Sequence, residues 1–249
     1  GPVGPRSGTV YGQSGPDGRR RYKGRLVRLR IGSHTASRAA LPAMAFTPLP
    51  SGLLLGVDRD QRPVPVRFFR AEPTRITLIG GEWAGQILAF RAMALGARVV
   101  VVTVSPGPWH GFGERAAGRG ERLVVVPPQQ PVRLAATAAR PALVIYDLGT
   151  SAPPAPVPLG PWQTQLTVLR ELTADGTSAV QEGNLVMLQR LYPVEAQVAA
   201  SVLRLTPQTA SLLQMLEPDM VALLGGGADR YVWLSPTRVE RTHAGAPRR

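Results

Sequence analysis

Residues 80–87, GGEWAGQI, keep the glycine spacing of the phosphate-binding loop G-x-x-x-x-G-K-[ST]. In that loop the lysine contacts the β and γ phosphates, and the hydroxyl of the last residue binds Mg²⁺. Here the two positions hold Gln86, which is uncharged, and Ile87, which has no side-chain oxygen. Lys23 is the only lysine in the chain, so only an arginine could supply the missing charge. The segment therefore predicts a phosphate loop in backbone shape that no longer handles phosphate.

The same glycines have two other interpretations. A dinucleotide fingerprint, G-x-G-x-x-G, needs a middle glycine where this chain has Glu82, and a carboxylate there would repel a pyrophosphate. A tight turn from a strand into a helix needs only the conformational freedom of glycine and no ligand. Backbone N–H groups at the start of such a helix could still attract an anion. Turn chemistry alone leaves the tight turn and the degenerate nucleotide site open as alternatives.

Asp147 is the second candidate site residue. It follows four apolar residues in LVIYDLG, which is the pattern of a Walker-B strand, but the next residue is Leu148 where a catalytic glutamate often stands. An acid at a strand end is a weak signal by itself, because many strand ends carry a capping aspartate. Large aromatic residues also follow predicted strand ends. Packing is their expected role, although Trp83 could also cover an empty phosphate pocket.

Apolar, β-branched runs closed by turn residues predict the strands that must hold these motifs. The predicted strands are residues 64–69, 75–81, 98–103, 122–128, 142–149, 165–172 and 184–191. Helical spacing after the glycine turn, ending at Gly96, predicts a helix between the second and third of these strands, and hence a parallel βαβ unit. We expect the strand before Gly80 and the strand ending at Asp147 to be neighbours in the sheet.

Two helices and a hairpin complete the predicted domain. Pro193 and Pro207 stand at or near the first position of the two helices, and residues 220–234 predict the hairpin. No repeat of 20–50 residues is visible, so solenoids and propellers are excluded. The expected fold class is a three-layer α/β domain with a mostly parallel sheet, beginning at about residue 51.

Composition excludes several classes of site. The chain of 249 residues is 44% hydrophobic, so it can bury a sizeable core. It contains no cysteine, which rules out disulfides, thiol catalysis and thiolate metal sites. The three histidines, His34, His110 and His243, are scattered, so no metal site is predicted. No apolar run of 18 or more residues is present to span a bilayer.

Positive charge is concentrated in residues 1–50, which carry nine basic side chains and one acidic one, a net charge of +8. We predict that residues 1–24 lack regular structure in isolation, that residues 24–32 form a short strand, and that a proline-rich linker reaches the boundary at residue 50. Such a basic arm suits nucleic-acid phosphates, an anionic lipid surface or an acidic protein. The basic patch is Arg19, Arg20, Arg21, Lys23, Arg25, Arg28 and Arg30.

Two stretches resemble FtsK/EccC-type motor domains, a group that includes the TraG/VirD4-like coupling ATPases. Residues 52–69, GLLLGVDRDQRPVPVRFF, followed by ITLIGGEWAGQ, look like the hairpin and phosphate-binding strand at the entry to those domains. Residues 184–237 are similar to their closing strand, helix, helix and hairpin, so the resemblance covers about residues 51–238. Position by position, Gly80, Gly81, Gly85 and Asp147 match the family's motifs, whereas Gln86, Ile87 and Leu148 do not.

This resemblance implies a RecA-like (P-loop NTPase-like) fold over residues 51–249 whose ATPase chemistry is lost, with no catalytic residue, no metal and no cofactor. Type VII secretion motors contain degenerate domains that bind partners or act as regulators. The arginine-, glycine- and proline-rich composition indicates a GC-rich genome, so an actinobacterial component of such an apparatus fits.

The expected partners are proteins of a membrane secretion complex. The expected location is the cytoplasm, either at the inner face of the membrane or free of it. Assembly into an oligomer is compatible with both. Two alternatives remain. One is a nucleic-acid-binding protein that uses its arginine-rich arm, and the other is a nucleotide-binding enzyme with an atypical loop.

Overall fold

The computed structural model describes residues 52–117, 122–225 and 229–249. In these residues ten strands join one sheet. They are β1 (Leu53–Val57), β2 (Pro63–Val66), β3 (Thr74–Ile79), β4 (Arg98–Thr103), β5 (Leu123–Val126), β6 (Ala142–Asp147), β7 (Gln163–Leu169), β8 (Leu185–Leu188), β9 (Met220–Leu224) and β10 (Arg230–Trp233). The helices are α1 (Glu82–Ala94), α2 (Phe112–Ala117), α3 (Thr177–Glu182), α4 (Pro193–Leu203), α5 (Pro207–Leu213) and α6 (Arg238–Ala244).

The sheet has a parallel half and an antiparallel half. The strand order is β2-β1-β10-β9-β8-β3-β7-β6-β4-β5. Every pair from β8 to β5 is parallel. The pairs on the other side, from β8 to β2, are antiparallel. Because parallel strands all end at the same edge, the loops that follow β3, β4, β6, β7 and β8 lie close together there.

Alternate side chains of the central strands enter cores on opposite faces of the sheet. In β4, Val99 and Val101 join the core that contains α1, while Val100 and Val102 face the other way. Helices α1, α2 and α6 pack on the first face, and α3, α4 and α5 pack on the second. This is the three-layer α/β fold with a mostly parallel sheet that the sequence predicts.

One predicted neighbour relationship is wrong. β7 lies between β3 and β6 and pairs in parallel with both. Six of the seven residues of β7 are buried, so this strand can take a central position with both of its faces covered. β3 and β4 run parallel, as the βαβ unit requires, but they are not neighbours, because β7 and β6 lie between them.

Most predicted elements occur within a few residues of their expected bounds. Pro193 and Pro207 each occupy the first turn of their helix, and β9 and β10 pair as the predicted hairpin. The entry hairpin implied by the family resemblance is formed by β1 and β2. Helix α6 was not predicted, although Thr237 and Glu240 form a capping box at its start. The strand, linker and unstructured arm predicted before residue 51 lie outside the described residues.

Candidate functional site

The glycine turn is shorter than a phosphate loop. β3 ends at Ile79, Gly81 is the residue before the helix, and α1 already begins at Glu82. The four residues from Glu82 to Gly85, which should wrap around a phosphate, therefore form the first turn of α1. The prediction that this segment has the backbone shape of a phosphate loop is wrong, and the alternative, a tight strand-to-helix turn, describes it correctly.

Core packing and one hydrogen bond explain why the helix begins so early. Trp83 and Ala84 are buried in the core beneath the sheet, which draws the second and third helical residues inward. The backbone N–H of Gly81 donates to Oε1 of Gln189 at 2.8 Å, a partner supplied by the end of the adjacent strand β8. A side chain on a neighbouring strand thus satisfies the donor that a phosphate would otherwise accept from.

The two residues at the lysine and hydroxyl positions have structural roles. Gln86 is buried, and its Nε2 donates to the carbonyl of Pro108 at 2.7 Å, which ties α1 to the short turn Gly107–Trp109. Ile87 is fully buried in the core. Both side chains therefore contact protein atoms and not solvent.

Asp147, at the end of β6, is fully buried and receives hydrogen bonds from two side chains. The guanidinium of Arg170 donates from Nε to Oδ1 at 2.9 Å and from Nη2 to Oδ2 at 2.8 Å. The indole Nε1 of Trp109 donates to Oδ2 at 2.9 Å. Bidentate guanidinium–carboxylate pairs are among the strongest hydrogen bonds in proteins. The negative charge of this carboxylate is therefore already balanced by the guanidinium of Arg170.

Arg170 also joins Asp147 to the start of α1. Its Nη1 lies 3.0 Å from Oε2 of Glu82, and Nη2 of Arg248 lies 3.6 Å from the other oxygen of that carboxylate. The hydrogen bond to Asp147 is the main cause that raises the pKa of Arg170; burial opposes it, and the negative charges of Asp147 and Glu82 add to it. The first residue of α1 is thus an acid paired with two arginines, so the charges at the helix start are already balanced by groups of the protein.

Trp109 fills the space between α1 and β7. Its indole is fully buried and packs edge-on against Phe112 with ring centroids 6.1 Å apart. A Cβ atom on Gly85 would lie 3.6 Å from the indole and 3.5 Å from Val168 of β7. The sequence prediction that these aromatic residues serve packing therefore holds for Trp109 and Phe112. It holds for Trp83 as well, which is buried in the core and donates to the carbonyl of Gly245 at 3.2 Å; the alternative, in which Trp83 covers an empty phosphate pocket, does not describe it.

Backbone from the other end of the chain occupies the space in front of the glycine turn. A Cβ atom on Gly81 would lie 2.6 Å from the backbone carbonyl carbon of Arg249, and one on Gly80 would lie 2.5 Å from Oε1 of Gln189. Residues 245–249, which we call the strap, cross the N-terminus of α1 at this point. The glycines at positions 80 and 81 make room for protein atoms, namely the strap and Gln189.

The structure brings Gly80, Gly81, Gly85, Gln86 and Asp147 to one edge of the sheet, as the sequence predicts. It adds Arg170, Gln189 and the strap, which sequence reasoning missed. Arg170 directly follows the apolar run of β7, so its position at a strand end was visible, but its partner depended on the unknown strand order. The basic patch at residues 19–30 lies outside the described residues.

Two further classes of feature are not found in residues 52–117, 122–225 and 229–249. Histidine, aspartate and glutamate side chains form no group of three or more there that could hold a metal ion. In the same part of the chain, each helix is too short or too polar to cross a bilayer.

The sequence matches no protein-family model and no curated protein sequence. Solved structures share its fold. VirB4 of Thermoanaerobacter pseudethanolicus superposes with a TM-score of 0.50 at 8% identity, over 76% of this chain and 98% of that one. The genome packaging NTPase B204 from Sulfolobus turreted icosahedral virus 2 has a TM-score of 0.47 at 8% identity, over 64% of this chain and 97% of that one.

The cytoplasmic domain of the type VII secretion ATPase EccC from Thermomonospora curvata has a TM-score of 0.47 at 11% identity, over 84% of this chain and 33% of that one. At such identities the likeness concerns the fold alone, and the VirB4 superposition carries it. The fold expected from the family resemblance is therefore confirmed: this chain has a RecA-like α/β architecture that it shares with VirB4.

Proposed function

We propose that this chain is a catalytically inactive, motor-like domain that serves as a scaffolding or regulatory component of a secretion or translocation apparatus. The observation that carries the proposal is the saturation of Asp147 by Arg170 and Trp109. In a working site this carboxylate would help to bind Mg²⁺ beside the nucleotide. Here a fixed guanidinium already satisfies it, so a metal ion would have to displace two parallel charge-assisted hydrogen bonds.

The energetics of phosphate binding support loss of ATPase activity. Helix-terminal N–H groups contribute about 0.3–1 kcal/mol to anion binding at exposed sites and up to ~2 kcal/mol in partly buried ones. Micromolar affinity requires ~8 kcal/mol. Gln86 is engaged by Pro108, and the guanidinium groups at the helix start, those of Arg170 and Arg248, are already paired with Glu82. We therefore expect no hydrolysis of ATP.

The apparatus we favour is a type VII secretion system of an actinobacterium. The fold of motor ATPases and the arginine-rich composition support this assignment. In such a system the domain would lie in the cytoplasm, at the inner face of the membrane, and contact proteins of the secretion complex. Its basic patch at residues 19–30 would face the anionic lipid surface or an acidic partner.

The experiment is to measure phosphate release from ATP by the purified chain, and then to mix the chain with the motor subunits of an actinobacterial type VII secretion system. We expect no phosphate release above buffer and a stable complex in size-exclusion chromatography. Turnover by the chain alone would refute catalytic inactivity. If the chain forms a complex with none of the motor subunits, the scaffolding role is refuted.

A second candidate function is nucleic-acid binding, and the net charge of +8 in residues 1–50 favours it. Binding to a short duplex would weaken steeply with salt, because each neutralised phosphate releases counterions. Titrating the chain with a duplex and with acidic liposomes over a range of salt concentrations separates the two partners. A chain lacking residues 1–50 is the control, since it should lose whichever interaction the arm makes.

A further inference from the structure

The side chain of Arg249 occupies a pocket built for a guanidinium group. Its Nη1 donates to Oε2 of Glu195 at 2.7 Å and to the carbonyl of Arg190, and its Nη2 donates to Oε1 of Glu195. The ring of Tyr192 lies under the guanidinium, 5.0 Å from its carbon to the ring centroid. A carboxylate, a carbonyl and an aromatic face together recognise the planar shape of arginine as well as its charge.

The pocket is formed by fixed parts of the fold. Glu195 is 1% exposed and belongs to the capping box of α4, where Oε2 accepts from the backbone N–H of Tyr192 at 2.7 Å. Its other oxygen accepts from the N–H of Leu172 at 2.9 Å. The carboxylate therefore stays in place whether or not Arg249 is present. A buried negative charge left without a cation is strongly unfavourable, so the pocket needs a guanidinium.

The strap that delivers Arg249 is held weakly elsewhere. None of residues 245–249 is buried, and the segment has no regular structure. The carbonyl of Arg248 accepts from Gln189 at 3.3 Å, and that of Gly245 accepts from Trp83 at 3.2 Å. Arg248 itself is about half exposed, and its ion pair with Glu82 spans 3.6 Å. Release of the strap would thus break few contacts besides those of Arg249.

We propose that the Glu195 pocket is a binding site for an arginine side chain of another polypeptide, and that the strap occupies it until that polypeptide replaces Arg249. Lysine would be a poor ligand, because an ammonium group cannot donate two parallel hydrogen bonds to one carboxylate. This proposal goes beyond the motor-like function above and does not depend on it. Its occupant is an arginine-bearing segment of a partner protein.

The strap can be displaced without altering the pocket. Gly81 has backbone angles of φ −81° and ψ 167°, which alanine also adopts, so a Cβ there causes no backbone strain. That Cβ would nonetheless lie 2.6 Å and 2.9 Å from the carbonyl carbon and the Cα of Arg249. Gly81→Ala should therefore push the strap outward. Deletion of residues 246–249 removes it altogether, which gives two independent ways to free the pocket.

The test uses a fluorescently labelled peptide, GAPRR, with the sequence of the strap, and GAPKK as the matched control peptide. Fluorescence anisotropy measures the affinity of each peptide for the full chain, the Gly81→Ala chain, the chain lacking residues 246–249, and that shortened chain carrying Glu195→Gln. Near-ultraviolet circular dichroism establishes that each variant is folded.

We expect GAPRR to bind the shortened chain and the Gly81→Ala chain at least about tenfold more tightly than it binds the full chain, because the strap no longer fills the pocket in these two. GAPKK should bind both about tenfold more weakly than GAPRR, and Glu195→Gln should remove the difference between the peptides. Equal binding of the two peptides would overturn the proposal by reducing it to general charge attraction. Failure of a folded Gly81→Ala or shortened chain to bind GAPRR would also overturn it.

Discussion

The guanidinium of Arg170 and the carboxylate of Asp147 face each other across the ends of two adjacent strands, joined by hydrogen bonds of 2.9 Å and 2.8 Å. Asp147 stands at the position that the sequence matches to a Walker-B acid. Its partner here is part of the protein. The end of β6 is thereby a buried, charge-balanced part of the fold.

Arg170→Ala should destabilise the fold by about 3 kcal/mol, because it leaves Asp147 buried without a counter-charge. Arg170→Lys should recover only part of this loss, since one ammonium group cannot replace the bidentate contact. Urea denaturation followed by circular dichroism measures the free energy of unfolding of each variant.

Arg62→Ala is the control for the substitution of Arg170. Arg62 lies 3.9 Å from Asp60, and both side chains are more than half exposed. Such surface pairs contribute about 0–1 kcal/mol, so this variant should unfold close to the parent chain. If the substitutions at 170 and 62 cost the same, the interpretation of Asp147 as a buried charge in need of Arg170 is wrong.

Restoring the missing phosphate-loop residues should not restore function. Gln86→Lys with Ile87→Thr rebuilds the sequence G-x-x-x-x-G-K-T, but residues 82–87 lie in a helix and both side chains are buried. We expect no ATP hydrolysis and lower stability, because the lysine would be buried and the threonine would replace a core isoleucine. Hydrolysis by this variant in a phosphate-release assay would mean that sequence alone, and not backbone shape, had inactivated the site.

Trp109 should contribute through both its ring and its N–H group. Trp109→Ala removes the packing against Phe112 and Gly85 and should cost about 3–5 kcal/mol. Trp109→Phe keeps most of that packing but leaves Asp147 with one donor fewer, so about 1–2 kcal/mol is expected. Trp233→Phe is the control, because its N–H also donates to a carboxylate, that of Glu217, but at an exposed site. Equal losses for the two phenylalanine variants in urea denaturation would contradict this role.

Stability should fall in acid through Glu240. Burial tends to raise the pKa of Glu240, but hydrogen bonds from Arg91 and Thr237 outweigh it, so the folded-state pKa lies below the ordinary value of 4.5. A depressed carboxyl pKa contributes stability that is fully present above the unfolded-state value and is lost as the pH falls through the folded-state value. Melting temperature measured against pH should therefore drop more below about pH 4.5 for the parent chain than for Glu240→Gln. Parallel curves would exclude Glu240 as a source of the acid sensitivity.

Local sequence patterns were sufficient to predict most of the fold. The apolar runs of β3, β4 and β6 and the prolines at the starts of α4 and α5 are short-range signals, and each element occurs where its signal lies. The order of the strands is a long-range property. No local pattern within residues 163–169 indicates that this strand inserts between β3 and β6. The predicted pairing of β3 with β6 was therefore wrong.

The position of the candidate site could be predicted from the sequence, but the hydrogen-bond partners of its residues could not. The glycines and Asp147 marked the correct edge of the sheet. The shape of the turn depends on Gln189, whose side chain accepts a hydrogen bond from the N–H of Gly81. These two residues are more than 100 positions apart along the chain. The partners of Asp147 likewise come from other loops, at distances along the chain of 23 residues for Arg170 and 38 for Trp109. Pairings of this kind are set by tertiary packing, which spacing within one motif does not encode.

Calorimetric titration of the purified chain with Mg-ATP tests the central claim most directly. Arg170 and Trp109 donate hydrogen bonds to Asp147, Gln86 donates to the carbonyl of Pro108, and the strap covers the start of α1. We therefore predict no binding tighter than about millimolar. The Arg170→Ala chain, titrated in parallel, shows whether Arg170 alone blocks a site that is otherwise intact, and it too should give no binding heat. A micromolar dissociation constant for Mg-ATP with the unmodified chain would contradict the account.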